Sequence, residues 1–432
     1  MDRSKSSADN RLAPLRRSDI PPAGANPLRR VSGTGAVLGA VLDHGPVARS
    51  TIARLTGLSP ASVSGHCGAL LDRGLVKEGP ETAGPRGLGR PFIPVEIDTS
   101  RFLVAGAHIA VPHVTLSLMD LTGRIVAQER RPHEGSEPGQ VLARVAAGLP
   151  RLLAAHGSGR TALALGVATG HWVDPEAGTV VHHPQLGWRG VPVRDELAGA
   201  TGVPVYLDSH SRALARAEQL FGDVGTRRSA VVLFVGNVVD AAFVTAGAVH
   251  QGPRFGAGNV AHLPVGTSTS TSTASASASA SASAGACCTC GTAGCLQSEV
   301  SEPAMVRRAV ERGLPVTRFA ELLDLAVEGD PVAVELFRQR ARLTGRAAAV
   351  LLDMFDPEVL VVVEPGTGRL PACMEELRSE VEARSLVCDD AARSVVPSSF
   401  TGSVLATAGA AVALGALHDD PLGPWPALAA VS

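Results

Sequence analysis

No stretch of about 18 consecutive apolar residues occurs in the chain, so nothing in it reads as a membrane-spanning helix. The first twenty residues, MDRSKSSADNRLAPLRRSDI, also lack the apolar core that follows the basic start of a secretory signal. Together these gaps predict a cytoplasmic protein without membrane contact. Charge is scarce, at 19% Asp, Glu, Lys and Arg, whereas hydrophobic residues reach 45%, which excludes general disorder and predicts large buried cores. Lysine is nearly missing: Lys5 and Lys77 are the only two, a bias without functional weight. Seven cysteines do not make an extracellular disulfide framework, because Cys287, Cys288, Cys290 and Cys295 crowd into nine positions while Cys67, Cys373 and Cys388 are scattered. That crowding points to metal. The length, 432 residues, predicts two to three domains.

The formal net charge of -2 conceals a segregation. Before Val95 the chain carries 13 Lys and Arg against 7 Asp and Glu; after that point the balance is 26 against 34. A basic front on an acidic body suits a nucleic-acid-binding module joined to a sensing or assembly domain, and equally a solvated basic tail. The patterning favours the module. Residues 1–28 are rich in Arg, Pro and Ser without apolar periodicity and read as a disordered basic tail. From Thr34, apolar positions at helical spacing stop at His44-Gly45-Pro46; Ile52, Leu55 and Leu58 mark a second helix ending at Thr56-Gly57; Ser59-Pro60 opens a third that runs to Arg73-Gly74. Two strands joined by the polar, glycine-rich run Glu78 to Pro91 complete residues 29–98.

Helix, glycine-containing turn, helix and β hairpin is the layout of a winged helix-turn-helix, whose second helix enters the major groove of double-stranded DNA with its N-terminal residues. Ser59, Ser62, Ser64 and His66 are then the groups offered to the duplex, while Val63, Leu70 and Leu71 hold the helix on its neighbours. Ser59 serves equally as a helix N-cap. Arg86 and Arg90 flank Gly87-Leu88-Gly89 in the hairpin, where guanidinium groups could reach the DNA backbone or a narrow minor groove.

From Phe102 the pattern is α/β: strands around the turn at Thr122-Gly123, a helix over Val141 to Ala155, the strand TALALGVATG, and a strand running into a helix in PVYLDSHSRALARAEQLFG. The low-complexity run over residues 266–286 interrupts this body and cannot form a packed core. Immediately after it, Cys288, Cys290 and Cys295 have CxCGxxGC spacing, with Gly291 and Gly294 permitting a tight turn. Three thiolates plus His262, which precedes the looped-out linker, match the four N/S donors of a closed structural zinc site. Cys287 stands beside them as a competing ligand, and a chance cluster or a redox pair is the bland alternative.

These pieces, in this order, resemble the ROK family of bacterial repressors and sugar kinases from about Gly33 to His418. The resemblance rests on GLGRP after the winged helix, MDLTGRIV, GVATGHWVDPEAGTVVHHPQLGW, LDSHSRALARAE, GAGNVAHLPVG and CTCGTAGCLQSEVS. It implies a two-lobed, actin-like, hexokinase-type (ribonuclease H-like) domain over residues 99–420, zinc on His262, Cys288, Cys290 and Cys295, a homodimer or homotetramer, and sugar-responsive DNA binding; residues 421–432 are left as a tail. The departures are informative. Where family kinases carry DIGGT, this chain has GAHIAVP, with His108 in place of the Asp. The GTGIG-like turn reads Gly236-Asn237-Val238-Val239-Asp240, and the late nucleotide-side glycines read Val363-Glu364-Pro365. The Asn-Asp pair holding the catalytic base is Ser209-His210, and the two sugar-holding Glu positions are Asn259 and Gln297. These substitutions imply a transcriptional regulator, in the sense of a repressor, that has lost kinase activity and ATP. Ser209, His210, Asn259, His262 and Gln297 form the candidate effector site; the pocket is retained in altered form, fitted to another polar ligand, or closed. A sugar kinase and a ligand-independent repressor are the competing readings.

Overall fold

The computed structural model describes residues 32–81, 92–133, 135–223, 228–266, 288 and 290–426. The expected basic tail, most of the hairpin loop with Arg86 and Arg90, Cys287 and most of the low-complexity run lie outside them.

The amino-terminal module contains α1 (Gly33–His44), α2 (Arg49–Thr56), α3 (Pro60–Asp72) and the antiparallel strands β1 (Val76–Glu78) and β2 (Val95–Ile97). Its helix boundaries follow local chemistry. Ser32 and Ser59 accept backbone N–H groups as N-caps of α1 and α3, Pro60 sits in the first turn of α3, and Gly57 ends α2 at φ 70°. Val37, Val41, Ile52, Val63, Cys67 and Leu70 close the interior.

The body follows in two lobes of like design. The first contains β3 (Phe102–Ile109), β4 (His113–Met119), β5 (Ile125–Pro132), α4 (Pro138–His156), β6 (Thr161–Thr169), β7 (Trp172–Asp174), β8 (Thr179–His183), β9 (Trp188–Val191), α5 (Val193–Thr201), β10 (Val205–Ser209) and α6 (His210–Phe221). Its main sheet has the order β10-β6-β3-β4-β5. The second lobe contains β11 (Ala230–Val235), β12 (Val239–Thr245), β13 (Ala248–Val249), α7 (Leu296–Val300), α8 (Glu302–Glu311), α9 (Phe319–Val327), α10 (Pro331–Phe355), β14 (Val359–Val363), α11 (Pro365–Arg369), α12 (Pro371–Arg384), α13 (Ala391–Ser394), β15 (Val395–Pro397) and α14 (Val404–Asp419). Its sheet runs β13-β12-β11-β14-β15. In both sheets an antiparallel meander of three strands is extended by two parallel strands. This duplicated ribonuclease H-like order is the hexokinase-type architecture that the resemblance implies.

The small sheet β7-β8-β9 was not legible as strands in the sequence, because segments of three to five residues carry too little alternation. Helix α14 crosses from the second lobe onto the first and packs on β3 and β6. Glycine permits the approach: a Cβ on Gly106 would lie 2.4 Å from the Ala410 nitrogen and from Ser117 Oγ. The other end of α14 meets the amino-terminal module. Val37, Leu38 and Val41 of α1 share one buried cluster with Leu121, Leu414, Leu417 and Trp425, so module and body have a continuous core. Arg73 Nη donates to the Leu422 carbonyl at 3.1 Å, and the Trp425 ring lies 5.5 Å from Tyr206. The start of the expected carboxyl-terminal tail is therefore docked.

Candidate functional site

The turn from β6 into β7, the end of β10 and the start of α6 converge with β12 on a cavity of about 290 Å³ lined by His171, Trp172, Ser209, Ser211, Asp240, Arg254 and Asn259 among others. Ser209 closes β10 and caps α6, accepting the Arg212 N–H. Arg212, fully buried beneath, fixes the surrounding loops: it donates to Asp208 at 2.6 Å and to the Phe255 and Val173 carbonyls at 3.0 Å. Gly258, at φ +97°, lets its loop lie flat on β12, since a Cβ there would meet the Ala241 oxygen at 1.9 Å.

Asp240 is the charged residue of an otherwise apolar strand and is held from two sides. His171, in a left-handed conformation at φ 64°, donates its N–H to Asp240 Oδ2 at 2.8 Å, and His210 Nε2 lies 3.1 Å from the same oxygen. Burial alone would push this carboxyl up; the His210 hydrogen bond and the neighbouring His171 overbalance it and hold Asp240 at about 2. The chain of side chains continues inward. His210 Nδ1 is 3.2 Å from His108 Nε2, and the His210 ring stacks on Phe234. Burial, then the neighbouring His210, keeps His108 far below the ordinary histidine range and therefore neutral.

The expected effector residues separate in space. Ser209 and Asn259 line the cavity. His210 is buried behind it between Asp240 and His108. Gln297 does not line it: its side chain accepts the Val239 N–H and donates to the Asn237 carbonyl, both at 2.8 Å, bracing the turn between β11 and β12. His262 faces the cysteine cluster. His171, Trp172, Asp240 and Arg254 were missed as cavity residues; the isolated charge in NVVDAAFV was the one visible signal for Asp240.

Two segments that the resemblance aligns with nucleotide loops of family kinases carry packed side chains here. Val238 is buried against Gly170. Glu364 accepts the Thr367 N–H as N-cap of α11 and pairs with Arg340, which also donates to the Val300 and Val235 carbonyls at 2.7 and 3.0 Å.

The ligand atoms of His262, Cys288, Cys290 and Cys295 lie within 4.8 Å of one another. Cys288 Sγ is 3.3 Å from His262 Nδ1, and Cys290 Sγ is 3.5 Å from Cys295 Sγ. A bridge between Pro264 and Cys295, with Gln297 donating to the Ala261 carbonyl, ties the His262 segment to the knuckle. The Thr292 N–H brings the Cys290 thiol down to about 6, while burial pushes Cys295 up to about 12. One His and three Cys at these separations fit a tetrahedral ion with bonds of about 2.0 to 2.3 Å.

In the amino-terminal module, Ser59, Ser62 and Ser64 are exposed at the start of α3. His66 is half-buried and turned inward, its Nδ1 2.9 Å from Thr34 Oγ1 on α1. Among the described residues no helix is long and apolar enough to cross a membrane.

Residues 104–415 match the ROK family. A transcriptional regulator of Mycobacterium bovis is 32% identical over 91% of this chain and 87% of its own length. The xylose repressor of Caldicellulosiruptor bescii is 24% identical over 81% and 87%. Among solved structures, a ROK family transcriptional regulator homologous to E. coli MLC superposes with TM-score 0.70 at 22% identity over 89% of this chain and 96% of its own. A ROK family glucokinase from Streptomyces griseus gives 0.60 at 21% over 71% and 98%. With a family match over most of its length and a relative above 30% identity along nearly all of it, the chain belongs to the ROK family.

Proposed function

We propose that this protein is a sequence-specific DNA-binding transcriptional regulator, acting as a repressor and lacking kinase activity. The observation that carries the reading is the docking of a helix-turn-helix onto the body through one shared core; buried Val238 and the Arg340–Glu364 pair, at positions that the resemblance aligns with nucleotide loops, support the absence of kinase activity. Relatives named as regulators support it. Ser59, Ser62, Ser64, Arg86 and Arg90 are the proposed DNA contacts, and a homodimer or homotetramer would present two modules to half-sites about 34 Å apart or a multiple of it.

The cavity at Asp240 is the proposed effector site for a sugar or sugar derivative. Trp172 offers an apolar ring, and Ser209, Asn259 and Asp240 offer partners for hydroxyl groups. A ligand binding one dimer arrangement more tightly than the other would shift operator affinity. His262, Cys288, Cys290 and Cys295 are proposed to hold a structural zinc ion, which with four protein donors leaves no position for reactive water. Its work is to pin the polypeptide on either side of the 266–286 run.

Full-length protein is expected to enrich one palindromic sequence from a random duplex library, with affinity falling steeply with salt. It is expected to release no ADP with aldohexoses or N-acetylhexosamines. Equal affinity for all duplexes, or sugar-dependent ADP release, overturns the proposal. Metal analysis is expected to find about one zinc per chain, with lower thermal stability after chelation.

A further inference from the structure

We infer that α3 reads its DNA chiefly by packing its small, exposed leading face on thymine methyls and makes no bidentate guanine contact in the major groove. This rests on the DNA-binding reading above and adds the chemistry of the sequence it reads. Guanine is read in the major groove chiefly by Arg or Lys on O6 and N7, adenine by Asn or Gln on N6 and N7, and cytosine by Asp or Glu on N4. Helix α3, PASVSGHCGALLD, offers none of these at its leading end. Its exposed N-terminal residues are Ser59, Pro60, Ala61, Ser62, Ser64 and Gly65. Ser59 and Ser62 hydroxyls lie 2.9 Å apart. His66 is committed to Thr34, and a Cβ on Gly33 would lie 2.8 Å from the His66 ring, so α1 occupies the ring's other side. What remains for the groove is the Ala61 methyl, two or three hydroxyls, and Gly65, beside which a Cβ would meet nothing within 4 Å. Such a surface fits thymine methyls at close range.

A second observation points the same way. Residues 32–81 carry Arg49, Arg54, Arg73 and Lys77 against Asp43, Asp72, Glu78 and Glu81, so this part of the module is electrically balanced. Arg49 pairs with Glu78, Lys77 with Glu96, and Arg73 donates to the Leu422 carbonyl. Arg54, exposed at the end of α2, is the remaining cation. The positive surplus of the front lies instead in residues 1–31, with 7 Lys and Arg against 3 acidic groups, and in residues 82–91, which contain Arg86 and Arg90 and no acid. Phosphate neutralisation thus belongs to sequences flanking α3, leaving α3 free of cations that would favour guanine.

The test uses full-length protein and the best site selected from random duplexes. Replacing thymine by uracil throughout one half-site is expected to weaken binding about fourfold for each methyl buried. Replacing guanine by 7-deazaguanine, which deletes the N7 acceptor, is expected to change affinity less than twofold in wild type and in Arg54→Ala. Ser64→Arg, at an exposed position, is expected to gain a preference for guanine at one step. Unchanged binding to uracil-substituted DNA, or a tenfold loss on 7-deazaguanine substitution that persists in Arg54→Ala, overturns the inference. Selection that enriches no site at all instead overturns the DNA-binding reading itself.

Discussion

At the scale of single residues, the cavity is backed by a row of buried polar side chains. Asp240 presents a carboxylate to the cavity, His210 stands directly behind it, and His108 extends the row inward. The contribution of the Arg340–Glu364 pair can be measured. Both side chains are almost fully buried. Glu364→Ala strands the Arg340 guanidinium and is expected to cost about 3 to 5 kcal/mol in denaturant unfolding. The double variant Arg340→Met/Glu364→Leu, with no stranded charge, is expected to recover most of that loss. Equal stability of Glu364→Ala and wild type would show that the pair contributes nothing. The sequence showed that the late glycines were gone; only the folded chain showed that Arg340, 24 residues earlier, meets Glu364.

Among the elements, α14 has the most exacting fit. Its small residues Ala406 to Ala411 are buried against β3, β4 and β6, and Ser117 Oγ donates to the Ala406 carbonyl at 2.8 Å. The role of α14 as the piece joining the lobes was not legible in the sequence, because helix packing depends on partners far apart in the chain. Gly106→Ala is expected to lower stability by about 1 to 3 kcal/mol in chemical denaturation, since the added methyl must displace backbone of α14. Gly39→Ala, where a Cβ meets nothing within 4 Å in the middle of α1, is the matching control and is expected to be neutral or stabilising. A neutral Gly106→Ala would mean that α14 sits further from the sheet.

For the whole molecule, the consequential feature is the joint between the DNA-binding module and the body. His418, near the end of α14, is buried at that joint. Burial first, then the Arg216 charge, pushes it down to about 3, while Asp43 of α1 opposes the shift. In the unfolded chain its pKa is about 6.5. Between these values the unfolded state binds a proton that the folded state refuses, so stability falls as pH falls through this window and is fully present above it. The slope from this residue is expected to approach 1.4 kcal/mol per pH unit. His418→Leu is expected to flatten that portion of the stability curve; an unchanged slope from pH 6 to 4 would remove His418 from the joint's energetics.

The sequence by itself determined what depends on near neighbours along the chain. Caps, turns and helical spacing set α1 to α3, the CxCGxxGC knuckle set three of the four residues of the candidate metal cluster, and apolar runs set central strands of the first lobe. Tertiary structure decided what depends on distant segments meeting. It separated Gln297 and His262 from the cavity, turned His66 inward, brought Trp172, Asp240 and Arg254 together, and joined the module to the body. Local preference is fixed within a few residues, whereas burial and pairing of a polar side chain are set by whatever strand or helix arrives opposite it, and no spacing rule along one chain contains that information.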